Sequence, residues 1–137
     1  MELTRWSRDL DVNISSINEQ HRRLIYLTNQ ICNAVTMNEP YEEVCERFSE
    51  LIECTARHFA DEEGLMARMR YKDIVSHRQL HRNILDVICA LKEKCDLDPS
   101  AINSTNIMVL DYWTNHISDH DMAFARHMAA IHQWCGI

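Results

Sequence analysis

An all-α fold, an up-down-up-down antiparallel four-helix bundle preceded by an N-terminal arm, follows from three features of this 137-residue chain. Turn formers are scarce, with two Gly and two Pro, whereas an all-β fold needs them at every hairpin. Hydrophobic residues make up 46% of the chain, and many of them fall into four stripes. Three of these advance by alternating four and three positions, the rhythm of a helix with one buried face. The breaks between stripes are short, so successive helices pack antiparallel. The length suits a single domain, 1–137, with one hydrophobic core.

Residues 1–15 carry Trp6, Leu10, Val12 and Ile14 without a sustained helical period and are expected as an arm packed on the bundle. The first helix is expected over about 16–37. Ser16-Ile-Asn-Glu19 has capping-box form, and the stripe Ile17, His21, Leu24, Thr28, Ile31, Val35 follows it. Pro40 suits a helix start and Glu42 and Glu43 suit the positive end of the dipole, which predicts a second helix over about 40–70. Its stripe is Val44, Phe48, Leu51, Thr55, His58, Glu62, Leu65, Met69. Gly64 weakens that helix by roughly 1 kcal/mol relative to Ala and is a candidate for a close backbone approach. Asp73 is the expected N-cap of a third helix, about 73–95, with the stripe Ile74, His77, His81, Ile84, Ile88, Leu91, Cys95. Asp98-Pro99 reads as a loop, and a fourth helix is expected over about 101–132, through Leu110, Trp113, Ile117, Phe124, Met128 and Ile131.

Several function classes are disfavoured by composition. A net charge of −7 repels a phosphate backbone, so no nucleic-acid partner is expected. The longest apolar runs, Val87 to Leu91 and Ile107 to Leu110, fall far short of the roughly 20 residues of a membrane helix, so no membrane insertion is expected. Met1 to Leu10 has Arg5 and Arg8 but no apolar segment of a secretory signal, which predicts a cytoplasmic protein. The six Cys (Cys32, Cys45, Cys54, Cys89, Cys95, Cys135) form no C-x-x-C pair. They are expected as buried or half-buried thiols rather than disulfides or a zinc site.

The unusual feature is what shares the stripes with Leu, Ile and Phe. His21 lies on the first helix, His58 and Glu62 on the second, His77 and His81 on the third, and the fourth adds His116 and Asp121. Residues four apart lie on one helical face, roughly 5–6 Å between Cβ atoms, which suits two ligands of one metal or of adjacent metals. Each has an ordinary reading when taken alone. A single His on a seam is more often a hydrogen-bonded core residue, H-x-x-x-H can be a surface accident, and H-x-x-x-E is a common surface pair. Their joint occurrence on inward faces predicts a metal site. On the fourth helix, spacing alone favours His116 with His120, since His116 and Asp121 are roughly 140° apart around an ideal helix. Five imidazoles and two carboxylates exceed the needs of one ion. Zinc favours closed four-coordinate sites, whereas imidazole with carboxylate suits iron. The Glu-x-x-His motifs of ferritin-like di-iron bundles are missing.

These motifs resemble the hemerythrin family, and its bacteriohemerythrins in particular, over nearly the whole chain. The resemblance is carried by Trp6-Ser7, Asn-Glu-Gln-His21, His58-Phe-Ala-Asp-Glu62-Glu63, His77-x-x-x-His81 and His116-Ile-Ser-Asp-His-Asp121, in that order. The family spacing H-x-x-x-x-D favours Asp121 over His120. The resemblance implies two iron ions joined by an oxo or hydroxo bridge. His77, His81 and His116 would bind one, His21 and His58 the other, and Glu62 and Asp121 would bridge both. One octahedral position then stays open beside His21 and His58, where dioxygen would bind. No nucleophile or separate general acid is implied.

Two departures stand out. Asn18 replaces the usual Asp of the first motif, and Tyr112-Trp113 replaces a frequent Trp-Leu pair, so Trp113, with Ile117, is expected to line the dioxygen pocket and to narrow or reshape access. His120, His127 and His132 are expected at the surface or behind the ligands, and Met66, Met69, Met122 and Met128 as packing near helix ends. The implied function is dioxygen binding for sensing, storage or delivery, either as a complete small protein or as an input domain covalently fused to a signalling output domain. Two alternatives are a di-iron redox enzyme (oxidase, peroxidase or nitric-oxide handling) and an interaction domain with a structural metal.

Overall fold

The computed structural model describes residues 15–98, 102, 106, 108, 110, 112, 121–128 and 130. The chain folds as an all-α, up-down-up-down four-helix bundle. Three helices are described at length: α1 (Ser15–Thr36), α2 (Tyr41–Arg68) and α3 (Ile74–Leu97). Helical residues at Asn106, Met108, Leu110, Tyr112, 121–128 and Ala130 belong to the fourth. The N-terminal arm expected over 1–15 lies outside the described residues except for Ser15, which is already helical. Ser16 therefore sits within α1 rather than at its cap. Among the described residues no helix is long and apolar enough to cross a membrane.

The expected stripes are the buried faces. Ile17, His21, Leu24, Thr28 and Ile31 on α1, Val44 through Glu62 on α2, and His77, His81, Ile84, Ile88, Leu91 and Cys95 on α3 are all buried. The stripes drift at helix ends: Met66 takes the core position in place of Leu65 and Met69 on α2, Ala34 is buried and Val35 half-buried on α1, and Ile74 is half-buried at the start of α3. A stripe repeating every 3.5 residues rotates slowly around a helix of 3.6 per turn, and the 28 residues of α2 give that drift room to show.

Helix ends are closed without glycine. After α1, Glu39 N–H donates to Ala34 O (2.9 Å) and Asn38 N–H to Val35 O (3.3 Å). After α2, Tyr71 N–H donates to Met66 O (3.0 Å) and Arg70 N–H to Ala67 O (3.2 Å). Both are Schellman motifs, whose turning residue adopts positive φ. That residue is Asn38 (φ 51°) in one and Arg70 (φ 53°) in the other. The second motif also makes its hydrophobic contact, because Tyr71 and Met66 belong to one buried cluster. Pro40 stands just before α2, and its carbonyl accepts from Glu43 N–H and Val44 N–H. Asp73 occupies the N-cap of α3 but its side chain makes no capping bond, while Ser76 Oγ donates to its carbonyl. A Cβ on Gly64 would meet only Arg68 Nη1 at 3.8 Å, so no close backbone approach requires that glycine.

Two apolar clusters sit along the bundle axis. The larger holds Leu24, Ile31, Phe48, Leu51, Ile84, Ile88, Leu91 and Leu110 with their neighbours. The smaller holds Met66, Tyr71 and Phe124, flanked by Leu65, Met69, Ile74 and Met128. The chain order on α2 and α3 shows what separates them. Phe48 and Leu51 precede His58 and Glu62, and Met66 follows; Tyr71 precedes His77 and His81, and Ile84 follows. A polar layer therefore lies between two dry ones.

Arg70 bears a Cβ in a conformation that costs an L-residue roughly 1–2 kcal/mol and that glycine adopts freely. Arg70→Gly is expected to stabilise the bundle by about 1 kcal/mol, read as a rise in the midpoint of chemical denaturation at unchanged slope.

Candidate metal centre

The polar layer gathers six of the seven residues that sequence singles out. His21, His58, Glu62, His77, His81 and Asp121 are all buried, Glu62 completely. The seventh, His116, lies outside the described residues, as do His120 and the expected pocket residues Trp113 and Ile117. The donor atoms fall into two groups that could each hold a metal ion: His21, His58, Glu62 and Asp121 in one, Glu62, His77, His81 and Asp121 in the other. Within each group the donor atoms lie within 4.8 Å of one another. Both carboxylates belong to both groups.

Short contacts knit the layer. His21 Nε2 lies 2.5 Å from Asp121 Oδ2, and His58 Nε2 lies 3.3 Å from the same oxygen and 3.5 Å from Glu62 Oε2. His77 Nε2 lies 2.7 Å from Glu62 Oε1 and 3.1 Å from Asp121 Oδ1, and His81 Nε2 lies 3.2 Å from Glu62 Oε1. The i,i+4 pairs on α2 and α3 supply four of these side chains from facing seams, so the helical spacing itself aims them at one volume.

Two residues outside the expected set orient the imidazoles. His58 Nδ1–H donates to Gln20 Oε1 (2.7 Å), and the Gln20 amide nitrogen donates to Asp61 Oδ2 (2.9 Å), which fixes the amide's orientation. His81 Nδ1–H donates to Glu63 Oε2 (3.0 Å), and Arg78 Nε pairs with Glu63 Oε1 (3.2 Å). Phe59 stacks on the His81 ring, centroids 3.8 Å apart and planes within 5°, which blocks its rotation. Both bonds cross between helices, so the spacing within one helix does not reveal them. The only signal in sequence is that Gln20 and Glu63 stand beside His21 and Glu62.

The donor set fits a metal. With the proton of His58 and of His81 committed to Nδ1, each Nε2 turns its lone pair toward carboxylate oxygens. Lone pair facing lone pair is favourable only with a cation between them. Glu62 Oε2, His21 Nδ1 and His81 Nε2 are buried without a hydrogen-bond partner, and a buried unpaired polar atom costs about 1–3 kcal/mol. Among the described residues no Lys or Arg pairs with Glu62 or Asp121. Burial, with Asp121 adjacent, pushes the Glu62 carboxyl up to about 7, a rise that His77 and His81 partly offset. Burial also opposes ionisation of Asp121, but bonds from Glu62, His21, His58 and His77 outweigh it and hold that carboxyl well below the usual range. At His77 burial lowers the proton affinity, and the two carboxylates overcome it, raising the group to about 9. Without metal, protons do the work of the missing positive charge.

Comparison with known proteins gives the same picture. Residues 12–128 match the family model of the hemerythrin HHE cation binding domain. A bacteriohemerythrin of Stenotrophomonas maltophilia is 28% identical over 130 residues, covering 95% of this chain and 84% of that protein. A hemerythrin-like protein of Naegleria gruberi is 25% identical over 120 residues, covering 87% and 88%. A myohemerythrin of Theromyzon tessulatum is 22% identical over 121 residues, covering 88% and 89%.

Metal entering this layer must displace the proton on His77 and the proton that Glu62 partly retains near neutrality. Anaerobic Fe(II) uptake by the metal-free protein is therefore expected to release protons and to strengthen as pH rises from about 6 to about 9, which potentiometric titration measures. Uptake independent of pH, with no proton release, would contradict this assignment. Gln20→Ala and Glu63→Ala are each expected to weaken iron binding by roughly 10- to 100-fold in competition with a chelator, with the helical circular dichroism unchanged.

Proposed function

Because the chain belongs to the hemerythrin family, we propose that the buried layer holds two iron ions joined by an oxo or hydroxo bridge and takes up dioxygen at the one coordination position left open beside His21 and His58. His77, His81 and His116 would hold one ion, His21 and His58 the other, and Glu62 and Asp121 would be shared by both. The observation that carries the reading is the division of the buried donors into two groups sharing both carboxylates. One ion of ordinary coordination number leaves donors idle, whereas two adjacent ions use them all.

When bound, the iron pair supplies an open coordination position and the two electrons that dioxygen accepts on uptake. The protein's own part is positional and electrostatic. Glu62 and Asp121 offset the positive charge in a layer where charge is otherwise costly to bury. Gln20 and Glu63 hold the His58 and His81 rings with Nε2 inward. The apolar clusters on either side exclude water from the layer. By the family resemblance, Trp113 and Ile117 would line the approach to the open position and narrow or reshape it. The role is storage, delivery or sensing in the cytoplasm, and in the sensing case the domain is fused to a signalling output domain.

The test is direct. Purified protein is expected to contain close to two iron ions per chain. Reduced anaerobically and then given air, it forms an oxygenated state with ligand-to-metal charge-transfer absorption, which disappears when dioxygen is removed. Passage straight to the oxidised state with catalytic consumption of reductant would replace this reading with that of a redox enzyme, and zinc as the sole metal would end it. His21→Ala is expected to abolish dioxygen uptake.

A further inference from the structure

Away from the polar layer, at the far end of the bundle, two thiols meet. Cys45 Sγ in the first turns of α2 lies 3.1 Å from Cys95 Sγ near the end of α3. Cys95 is fully buried and Cys45 half-buried. Nothing in their spacing marks them as partners, since 50 residues separate them in sequence. They meet because α2 and α3 are antiparallel and joined by a short turn, so the start of one faces the end of the other. Both thiols are free, and an approach of about 1 Å would bring the sulfurs to bonding distance. Among the described cysteines no other pair of sulfurs is in contact. The nearest polar partner of Cys32 Sγ is Thr36 Oγ1, at 4.0 Å.

We propose that Cys45 and Cys95 form a reversible disulfide when the protein meets hydrogen peroxide, with Cys45 as the thiol attacked and Cys95 as the thiol that resolves it. The half-exposed Cys45 sulfur attacks one peroxide oxygen, the O–O bond breaks, and water leaves with the thiol proton, giving a sulfenic acid. The Cys95 sulfur then attacks the Cys45 sulfur and displaces the hydroxyl, which departs as water with the Cys95 proton. Two thiols are oxidised by two electrons and one peroxide is reduced to two waters. Thiols such as dithiothreitol reverse the step by exchange.

The surroundings set its character. Asp96 lies beside Cys45 and is itself held by Lys92 Nζ at 2.6 Å. Burial, with the contacts to Cys95 and Asp96, pushes the Cys45 thiol up to about 12. Little thiolate is present at neutral pH, so the pair responds to sustained oxidant rather than to a brief pulse. Once formed, the bond staples the opening of α2 to the close of α3, and the closed loop contains His58, Glu62, His77 and His81. His58 stands 13 positions along α2 from Cys45, about 20 Å of helix, so the staple leaves the metal-binding side chains where they are. The inference does not depend on dioxygen binding.

The test treats the iron-loaded chain, its iron already oxidised to Fe(III), with hydrogen peroxide at neutral pH and digests it without reductant. Mass spectrometry is expected to find one dominant cross-linked peptide pair joining Cys45 to Cys95, lost on dithiothreitol treatment, with the chain monomeric. The oxidised form is expected to unfold at a temperature higher by at least about 5 °C, with the visible spectrum of the iron site unchanged. Cys45→Ser should abolish both the cross-link and the thermal shift. Cys95→Ala should leave Cys45 to proceed to sulfinic acid, and because Cys45 is half-exposed its own variant tests the idea even if the Cys95 variant fails to fold. Cross-links among the other cysteines, an intermolecular dimer, or sulfinic acid at Cys45 of the unmutated chain with Cys95 still a free thiol would each overturn the proposal.

Discussion

Glu62 and Asp121 face one another in a layer sealed from water, with imidazole as their only cationic company among the described residues. Two buried carboxylates cannot both ionise without positive charge between them. Much else in the molecule accommodates that requirement. The seams of α2 and α3 leave their apolar sequence for one turn each to bring in His58, Glu62, His77 and His81. Gln20 reaches from α1 to α2, and Glu63 from α2 to α3, to hold rings whose free nitrogens point at the pair. Left to protons alone the layer stays frustrated, with Glu62 part-neutral, His77 charged and three polar atoms unmatched. Positive charge held between the carboxylates would answer Glu62, His77 and the His81 Nε2 lone pair together.

The two outer holds on the imidazoles are not equivalent. The partner of His58 is a neutral amide, and that of His81 is a carboxylate already steadied by Arg78. A carboxylate makes the ring it accepts from more electron-rich, and an amide does so less. The two halves of the layer therefore differ in donor strength, and the weaker hold is on the side proposed for the open position. An ion with poorer donors keeps more of its Lewis acidity for an outside ligand.

Much of this was legible in sequence because it depends on periodicity. The run from Val44 to Glu62 keeps one rhythm through apolar and polar residues alike, so the position of Phe48 predicts the inward direction of Glu62. Periodicity says nothing about phase between helices. Asp121 is the clearest instance: spacing on its own helix favours His120, and the family motif was needed to prefer the residue that lies 1% exposed among the donors. Gln20, Glu63 and the Cys45–Cys95 contact escape notice for the same reason, since each is a relation between two helices. The cap residues escape differently. With few glycines to mark helix ends, Asn38, which tolerates it, and Arg70, against its ordinary preference, take the left-handed position, guided by hydrogen bonds that only the folded chain supplies.

The placement of the polar layer between two unequal apolar clusters has a consequence for how the bundle comes apart. The large cluster draws side chains from α1, α2 and α3 and buries many more of them than the small one. The small one, built on Met66, Tyr71 and Phe124, lies beyond the charged layer and borrows its cohesion from it. Cooperative units of a fold open with their own free energies. Here the boundary between two such units runs through the ligands themselves. Metal held in that layer would add cohesion chiefly to the small cluster and to the turn between α2 and α3 beside it.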